Sequence, residues 1–143
     1  MLIDTHAHLQ HARFTHDLDA VLARAAERGV TATIVPGSTL EDSRAAVALA
    51  EQYADMPCTL YAAVGIHPTD ADDLTPAVLA ELRELATHPR VIAIGEIGLD
   101  YYWPHISNRD WPCAEPAQQR AALEAQLALA AELSLPVILH DRD

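Results

Sequence analysis

The chain has 143 residues, of which 50% are hydrophobic, so it can bury the core of one domain. Nine basic and 21 acidic residues give a formal net charge of −12, which argues against broad electrostatic capture of DNA or of an anionic membrane. A nucleic-acid substrate would therefore need bound cations or a few local arginine and histidine side chains. No apolar run approaches the ~20 residues of a membrane span.

The cysteines and the first residues favour a cytoplasmic protein. Cys58 and Cys113 lie far apart, outside any CxxC or CxxH pattern, which is typical of a reduced intracellular chain. The residues from Met1 to Asp4 lack the basic region and apolar stretch of a signal peptide. We therefore expect a cytoplasmic location and no membrane association.

Short apolar runs alternate with helical patterns along the whole chain, which predicts five strands and four helices. Apolar residues share one face of the helices, as in Leu18 and Leu22 of the first helix and Val78 and Leu82 of the third. In chain order we predict a strand at Leu2–Thr5, a helix capped by Thr15 and ended by Gly29, a strand at Thr31–Val35, a helix from a Ser38/Glu41 capping box through Tyr53, a strand at Leu60–Gly65, a helix opened by Thr75 and Pro76, a strand at Val91–Gly95, a helix at Pro116–Leu133 and a strand at Pro136–His140.

This alternation predicts an α/β fold. The strands are near-continuous apolar runs, as expected of a parallel sheet that is covered on both faces. Either a doubly wound sheet or a (β/α)₈ barrel fits such a pattern, and the glycine fingerprint of dinucleotide binders is absent after the first strand. The irregular stretch Trp103–Glu115 is interpreted as a lid or an insertion.

The strand ends carry residues that bind metals. His6 and His8 alternate after the first strand, so both imidazoles can reach one divalent ion, although a histidine-rich turn is the simpler alternative. His67, Glu96 and His140 follow three other predicted strands, at the end of a parallel barrel where active sites are built. Together they suggest one or two divalent metals, with Glu96 able to bridge a pair. Asp4 could orient a ligand from behind. Four histidines away from strand ends are expected to be ordinary surface residues: His11, His16, His88 and His105.

Four motifs in register resemble the TatD family of metal-dependent hydrolases, and the resemblance covers the whole chain. They are HAH at His6–His8, VGIHP at Val64–Pro68, GEIGLDYYW at Gly95–Trp103 and PVILHDRD at Pro136–Asp143. The resemblance implies a TIM-type (β/α)₈ barrel and a deoxyribonuclease that cleaves phosphodiester bonds by metal-activated water, with DNA as the substrate.

The resemblance also implies roles for individual residues. His6, His8 and Glu96 would hold one metal ion, and Glu96 with His140 a second, with Glu96 as the catalytic bridging ligand. The ions would be Zn, Mg or Mn, two per complete site. His67 and Arg142 would contact a substrate phosphate.

The chain departs from the family pattern in its length. A full barrel needs roughly ~250 residues, whereas this chain ends after the fifth predicted strand. Residues 1–143 are therefore expected to be the N-terminal portion of a single barrel domain, truncated to about five strands and four helices. Open barrel edges would invite self-association.

Two other functions stay open. The same barrel and metals could hydrolyse a small ester or amide, or an aminoacyl-tRNA ester, because fold does not fix function. The chain could instead be an inactive half-barrel retained for binding or assembly. The four ligand-type residues His6, His8, Glu96 and His140 argue against that last alternative.

Overall fold

The structure is a computed structural model that describes residues 1–103 and 113–143. The described residues form one five-stranded parallel sheet in the order β1-β2-β3-β4-β5. Consecutive order is the order of a barrel, whereas a doubly wound sheet reverses it at a switch point. The predicted half-barrel is therefore confirmed. Its elements are β1 (Leu2–Asp4), α1 (Leu18–Glu27), β2 (Val30–Pro36), α2 (Leu40–Gln52), β3 (Thr59–Val64), α3 (Pro76–Leu85), β4 (Val91–Asp100), α4 (Pro116–Leu133) and β5 (Val137–Arg142).

The helix starts follow local hydrogen bonding. Thr75 caps α3 as predicted, because its hydroxyl accepts from the Val78 N–H at 3.2 Å. The predicted Ser38 cap of α2 was wrong: Thr39 accepts from the Asp42 N–H at 3.1 Å, and the Ser38 hydroxyl donates to the Asp42 carboxylate. The predicted Thr15 cap of α1 was also wrong, because a 3₁₀ turn at Ala12–Phe14 uses Thr15.

The core lies between the sheet and the helices. Leu18 and Leu22 of α1 and Leu82 of α3 are buried, as their helical spacing predicted. Each fully buried aliphatic side chain contributes about 1.5–3 kcal/mol of transfer free energy. The largest such side chains come from strands, from helices and from the loop after β3: Leu60, Ile66, Leu82, Ile94, Ile97 and Leu129.

Strand β4 is longer than predicted, and this changes the position of two site residues. It runs to Asp100 rather than to Gly95, and β5 runs to Arg142 rather than to His140, so Glu96 lies inside a strand rather than after it, and His140 lies inside a strand rather than at its end. Gly98 pairs with His140, at a φ of +152°. A Cβ there would lie 1.8 Å from the His140 carbonyl oxygen, so only glycine permits this approach. The Gly95–Glu96 peptide bond is cis.

The two outer strands carry exposed apolar side chains. Within the described part of the chain, β1 pairs only with β2, and β5 only with β4. Leu2 is 59% exposed and Leu139 is 60% exposed. A search of the helices in the same residues finds none with the length and apolar character needed to cross a membrane.

Candidate metal centre

His6, His8 and Glu96 meet at the end of β1. The Nε2 atoms of the two histidines are 3.1 Å apart. They lie 3.3 Å and 3.6 Å, respectively, from Oε2 of Glu96. The strand end turns both imidazoles toward the carboxylate in the middle of β4, and these three ligand atoms lie within 4.8 Å of one another. Asp4 accepts a hydrogen bond from the His6 backbone N–H at 3.1 Å, so its described contact fixes the backbone rather than an imidazole.

The second oxygen of Glu96 faces a different pair of histidines. Oε1 lies 3.1 Å from Nδ1 of His140. The His67 ring packs edge-on against the His140 ring, with centroids 4.4 Å apart. His67, Glu96 and His140 thus form a second group whose ligand atoms lie within 4.8 Å of one another. Glu96, which is only 8% exposed, belongs to both groups.

The donor set fits divalent metal ions. Neutral imidazole nitrogens and carboxylate oxygens all offer lone pairs, and lone pairs at 3.1–3.6 Å repel unless a proton or a cation lies between them. Imidazole suits zinc and other first-row metals, and a carboxylate also accepts magnesium or manganese. The arrangement therefore accommodates cations on both sides of Glu96.

The close approach of these side chains also shifts the pKa values of Glu96, His8 and His67. Burial of the Glu96 carboxylate opposes its ionisation, but the imidazoles of His8, His6, His67 and His140 together outweigh this effect and lower its pKa from 4.5 to about 2. The Glu96 carboxylate in turn raises the pKa of His8, against a smaller effect of burial. Burial lowers the pKa of His67, and the neighbouring His140 adds to that effect.

Asp100 is a site residue that the sequence interpretation missed. Its carboxylate is fully buried and lies 2.9 Å from Nε2 of His140. A neutral ring that donates its Nε2 proton to Asp100 presents the Nδ1 lone pair toward Glu96. Such carboxylate–histidine pairs orient metal ligands and raise their basicity. The alternation of Glu96, Gly98 and Asp100 along β4 was the signal that could have revealed it.

Two glutamines of α4 anchor the segments that carry the site. The side chain of Gln126 accepts from the Ile66 N–H at 2.7 Å and donates to the Ile66 carbonyl at 3.1 Å. Gln119 makes the same pair of bonds with the Asp100 backbone, at 2.7 and 2.9 Å. Both amides are buried, so the position of the His67 segment and the end of β4 depend on one helix.

The remaining predicted residues lie beside the centre or away from it. Arg142 stacks its guanidinium group over the rings of Tyr102 and Trp103 rather than entering either histidine group. Three of the four histidines expected at the surface lie outside both groups, and His105 lies outside the described residues. His11 and His88 accept backbone hydrogen bonds from Arg13 and Arg90, His16 is exposed, and both Cys58 and Cys113 are buried and outside any disulfide.

Comparison with known proteins identifies relatives of this chain. A family model described as TatD related DNase matches residues 3–143. The 3'-5' ssDNA/RNA exonuclease TatD of Musicola paradisiaca is 40% identical over 142 residues, 99% of this chain and 50% of that protein. YabD of Bacillus subtilis, named an uncharacterized metal-dependent hydrolase, is 41% identical over 143 residues, which are 100% of this chain and 51% of that protein. The crystal structure of YjjV, a TatD homologue from Escherichia coli K12, matches at a TM-score of 0.82 and 38% identity, over 99% of this chain and 51% of that one. The chain spans about half the length of the curated relatives it matches.

Proposed function

The chain belongs to the TatD-related DNase family. We propose that it is part of a metal-dependent nuclease that cleaves phosphodiester bonds in DNA. The observation that carries the proposal is the position of Glu96, whose two carboxylate oxygens face two separate groups of imidazoles. A single buried carboxylate between two ligand groups is suited to a pair of cations. Residues 1–143 then form the N-terminal portion of a single barrel domain.

The ligand assignment follows these two groups. His6, His8 and Glu96 would hold one ion, and Glu96 and His140 a second, of Zn, Mg or Mn. Divalent ions at such a site lower the pKa of water and neutralise the charge that develops on a phosphate. Asp100 accepts the Nε2 proton of His140 and so holds that ring with Nδ1 toward Glu96.

His67 and Arg142 are the proposed phosphate contacts. Nδ1 of His67 contacts the Thr69 hydroxyl at 2.7 Å and the Thr69 N–H at 3.2 Å, which leaves Nε2 as the ring nitrogen for a phosphate oxygen; the tautomer with its proton on Nε2 can donate it there. The lowered pKa of His67 keeps that ring neutral at physiological pH. Arg142 lies two residues beyond His140 on β5 and supplies a permanent positive charge in a chain of net charge −12.

The substrate proposal draws on the relatives as well as on the site. Several of them are named as exonucleases of single-stranded DNA and RNA. The strongly acidic chain favours the alternative of a small ester or amide, or an aminoacyl-tRNA ester, as substrate. We also propose a cytoplasmic location, in keeping with two cysteines that form no disulfide, and self-association through the exposed edges of β1 and β5. Sedimentation at several concentrations tests that last point.

Cleavage assays on the full-length gene product test the proposal. The protein is stripped with a chelator and reloaded with Mn²⁺, Mg²⁺ or Zn²⁺, then offered end-labelled single-stranded DNA and, separately, small carboxylic and aminoacyl esters. We expect DNA cleavage that requires metal and is lost on chelation. Ester cleavage without DNA cleavage would select the small-substrate alternative. Absence of both metal binding and turnover would select the inactive half-barrel.

A further inference from the structure

An aromatic pair lies beside the metal centre, against Arg142, and has no role in the chemistry described so far. The Tyr102 and Trp103 rings meet edge-to-face, with centroids 4.9 Å apart. The Arg142 guanidinium lies 4.4 Å from the Tyr102 centroid and 5.2 Å from that of Trp103. These three residues are called the aromatic–arginine cluster below. Tyr102 is 37% exposed, and Arg142 is exposed as well.

The strands fix the distance between this cluster and the metal centre. His140 and Arg142 alternate on β5, so their side chains leave the same face of the sheet about 6.6 Å apart along the strand. On β4, Asp100 pairs with Arg142, and the Tyr101 N–H donates to the Arg142 carbonyl at 2.9 Å. Tyr102 thus lies two residues after Asp100, whose carboxylate holds His140. The cluster therefore follows His140 and Asp100 by two to three residues along each of the two chain segments.

The guanidinium group of Arg142 lies within cation–π distance of both aromatic rings. Cation–π contact uses the face of a planar guanidinium, whereas its N–H donors radiate from the edge. Other arginines of the chain use those donors on carboxylates, as Arg44 does with Glu81 and Arg83 with Glu132. Arg142 instead packs against the Tyr102 and Trp103 rings, so a cation able to contact a phosphate lies next to two aromatic rings able to stack on a base.

We propose that the aromatic–arginine cluster is a nucleobase subsite, on which the base next to the phosphate at the metal centre stacks against Tyr102 and Trp103. The subsite presupposes the proposed nuclease function and extends it to the choice of strand. Every base has a π-face, so the subsite accepts any base. It requires an unpaired one, because a base inside a duplex is already stacked between its neighbours.

Binding of matched ligands with and without bases tests the subsite. The ligands are a short phosphorothioate oligothymidylate, which resists hydrolysis, and a fully abasic chain of the same length and charge. Affinities are measured by fluorescence anisotropy with Mn²⁺ present, on the full-length gene product. We expect the wild-type protein to bind the thymidylate about 5- to 160-fold more tightly, the range that corresponds to the usual strength of one stacked base.

Two matched variants assign that preference to the cluster. Tyr102→Leu removes an exposed ring while keeping its apolar bulk, and the ratio of the two affinities should fall toward one. Tyr61→Leu is the control, because Tyr61 also lies beneath an arginine, Arg90, but on β3 outside the cluster. It should keep the wild-type ratio.

The outcomes separate the subsite from the nuclease proposal. Equal wild-type affinities for the two ligands, or an unchanged ratio in Tyr102→Leu, overturn the subsite even if unmodified oligothymidylate is cleaved. A base preference that only Tyr102→Leu abolishes supports the subsite. If that preference occurs without cleavage by any of the three metals, the base contact stands and the nuclease function does not.

Discussion

The buried carboxylate of Asp100 lies 2.9 Å from Nε2 of His140, on the side of the ring opposite Glu96. One small ring is therefore held between two carboxylates, of which only Glu96 belongs to both ligand groups. Under the proposed ligand assignment, Asp100 is a positioning residue, because it would act on a bound metal only through His140.

Replacing Asp100 with alanine should weaken metal binding at the His140 side by about 10–100-fold, the usual effect of losing a carboxylate partner of a ligating histidine. Isothermal titration with Mn²⁺ or Zn²⁺ measures this directly. Asp141→Ala is the matched control, because Asp141 is an exposed neighbour of His140 on the same strand. Wild-type affinity in Asp100→Ala would show that the contact is structural only.

Replacing Glu96 with alanine should abolish binding of two ions and remove most turnover, because both groups lose their shared carboxylate. Metal content after dialysis gives the stoichiometry, and cleavage of single-stranded DNA gives the turnover. Glu96→Gln keeps the shape of the side chain but not its charge. Its metal content and turnover should be closer to those of the alanine variant than to those of the wild type. Two ions bound to Glu96→Ala would refute the bridging assignment.

Replacing His67 with alanine should raise KM for DNA by about tenfold or more, the value of one hydrogen bond to a charged group, while the number of bound ions stays the same. This pattern separates a phosphate contact from a ligand, which matters because His67 lies within ligand distance of Glu96 and His140. A fall in metal content together with kcat would make His67 a ligand instead.

We expect the site to give the chelator-treated protein a stability optimum in mildly acidic solution. Glu96 has a folded-state pKa of about 2 against its ordinary 4.5, so its contribution is present above pH 4.5 and is lost as the pH falls toward 2. His8 has a pKa raised above 6.5, so its contribution is present below pH 6.5 and is lost as the pH rises through the folded-state value. Both are present together between pH 4.5 and 6.5, whereas His67, whose pKa burial lowers, disfavours the folded state as the pH falls below 6.5, so the optimum lies toward the upper end of that range.

Melting temperatures across pH, with and without Mn²⁺, check this expectation. Metal requires unprotonated imidazoles, so the stabilisation that it adds should grow above pH 6.5, where the contribution of His8 fades. Glu96→Gln should flatten both profiles. A metal-free protein whose melting temperature rises steadily to pH 8 contradicts the assignment.

Replacing Gly98 with alanine should cost about 3 kcal/mol or more of unfolding free energy, because the new Cβ would overlap the His140 carbonyl. Gly29→Ala is the control. Gly29 also has a positive φ, +85°, but its Cβ would meet nothing within 4 Å, so only the backbone cost of about 1–2 kcal/mol remains. Urea denaturation of the two variants gives the comparison, and equal losses would contradict the close approach of β4 to β5 at this position.

The fold was predictable from sequence because its signals are local. Apolar runs and helical spacing predicted each strand and α-helix that the described residues contain, but neither of their two 3₁₀ helices; Thr75 with Pro76 predicted one helix start to the residue. The caps of α1 and α2 were harder to predict, because several residues that can cap a helix lie close together in the sequence. Ser38 and Thr39 compete for one helix, and the 3₁₀ turn before α1 follows from the side chain of His11, which accepts from the Arg13 N–H.

The site was predictable only in part, because the positions of some of its residues depend on the pairing of β4 with β5 and on tertiary packing. His6 and His8 are visible as an alternating pair, and Glu96 and His140 as polar residues after apolar runs. The length of β4 depends on its register with β5, in which Gly98 faces His140, and this pairing brings Asp100 to that ring. Gln119 and Gln126 look like surface positions in a helical pattern, and only the tertiary structure buries them.

The buried side-chain amides of Gln119 and Gln126 on α4 have a consequence for local unfolding at the site. Gln119 and Gln126 are two helical turns apart on one face, and each closes a ring of hydrogen bonds around a single residue of a different strand end. Neither strand end can move away from α4 without breaking the hydrogen bonds of a buried glutamine amide. The helix therefore couples local unfolding of the two strand ends. Amide hydrogens of Ile66 and Asp100 should exchange with deuterium at matched rates, in a single opening event, and ligands that engage either segment should slow both.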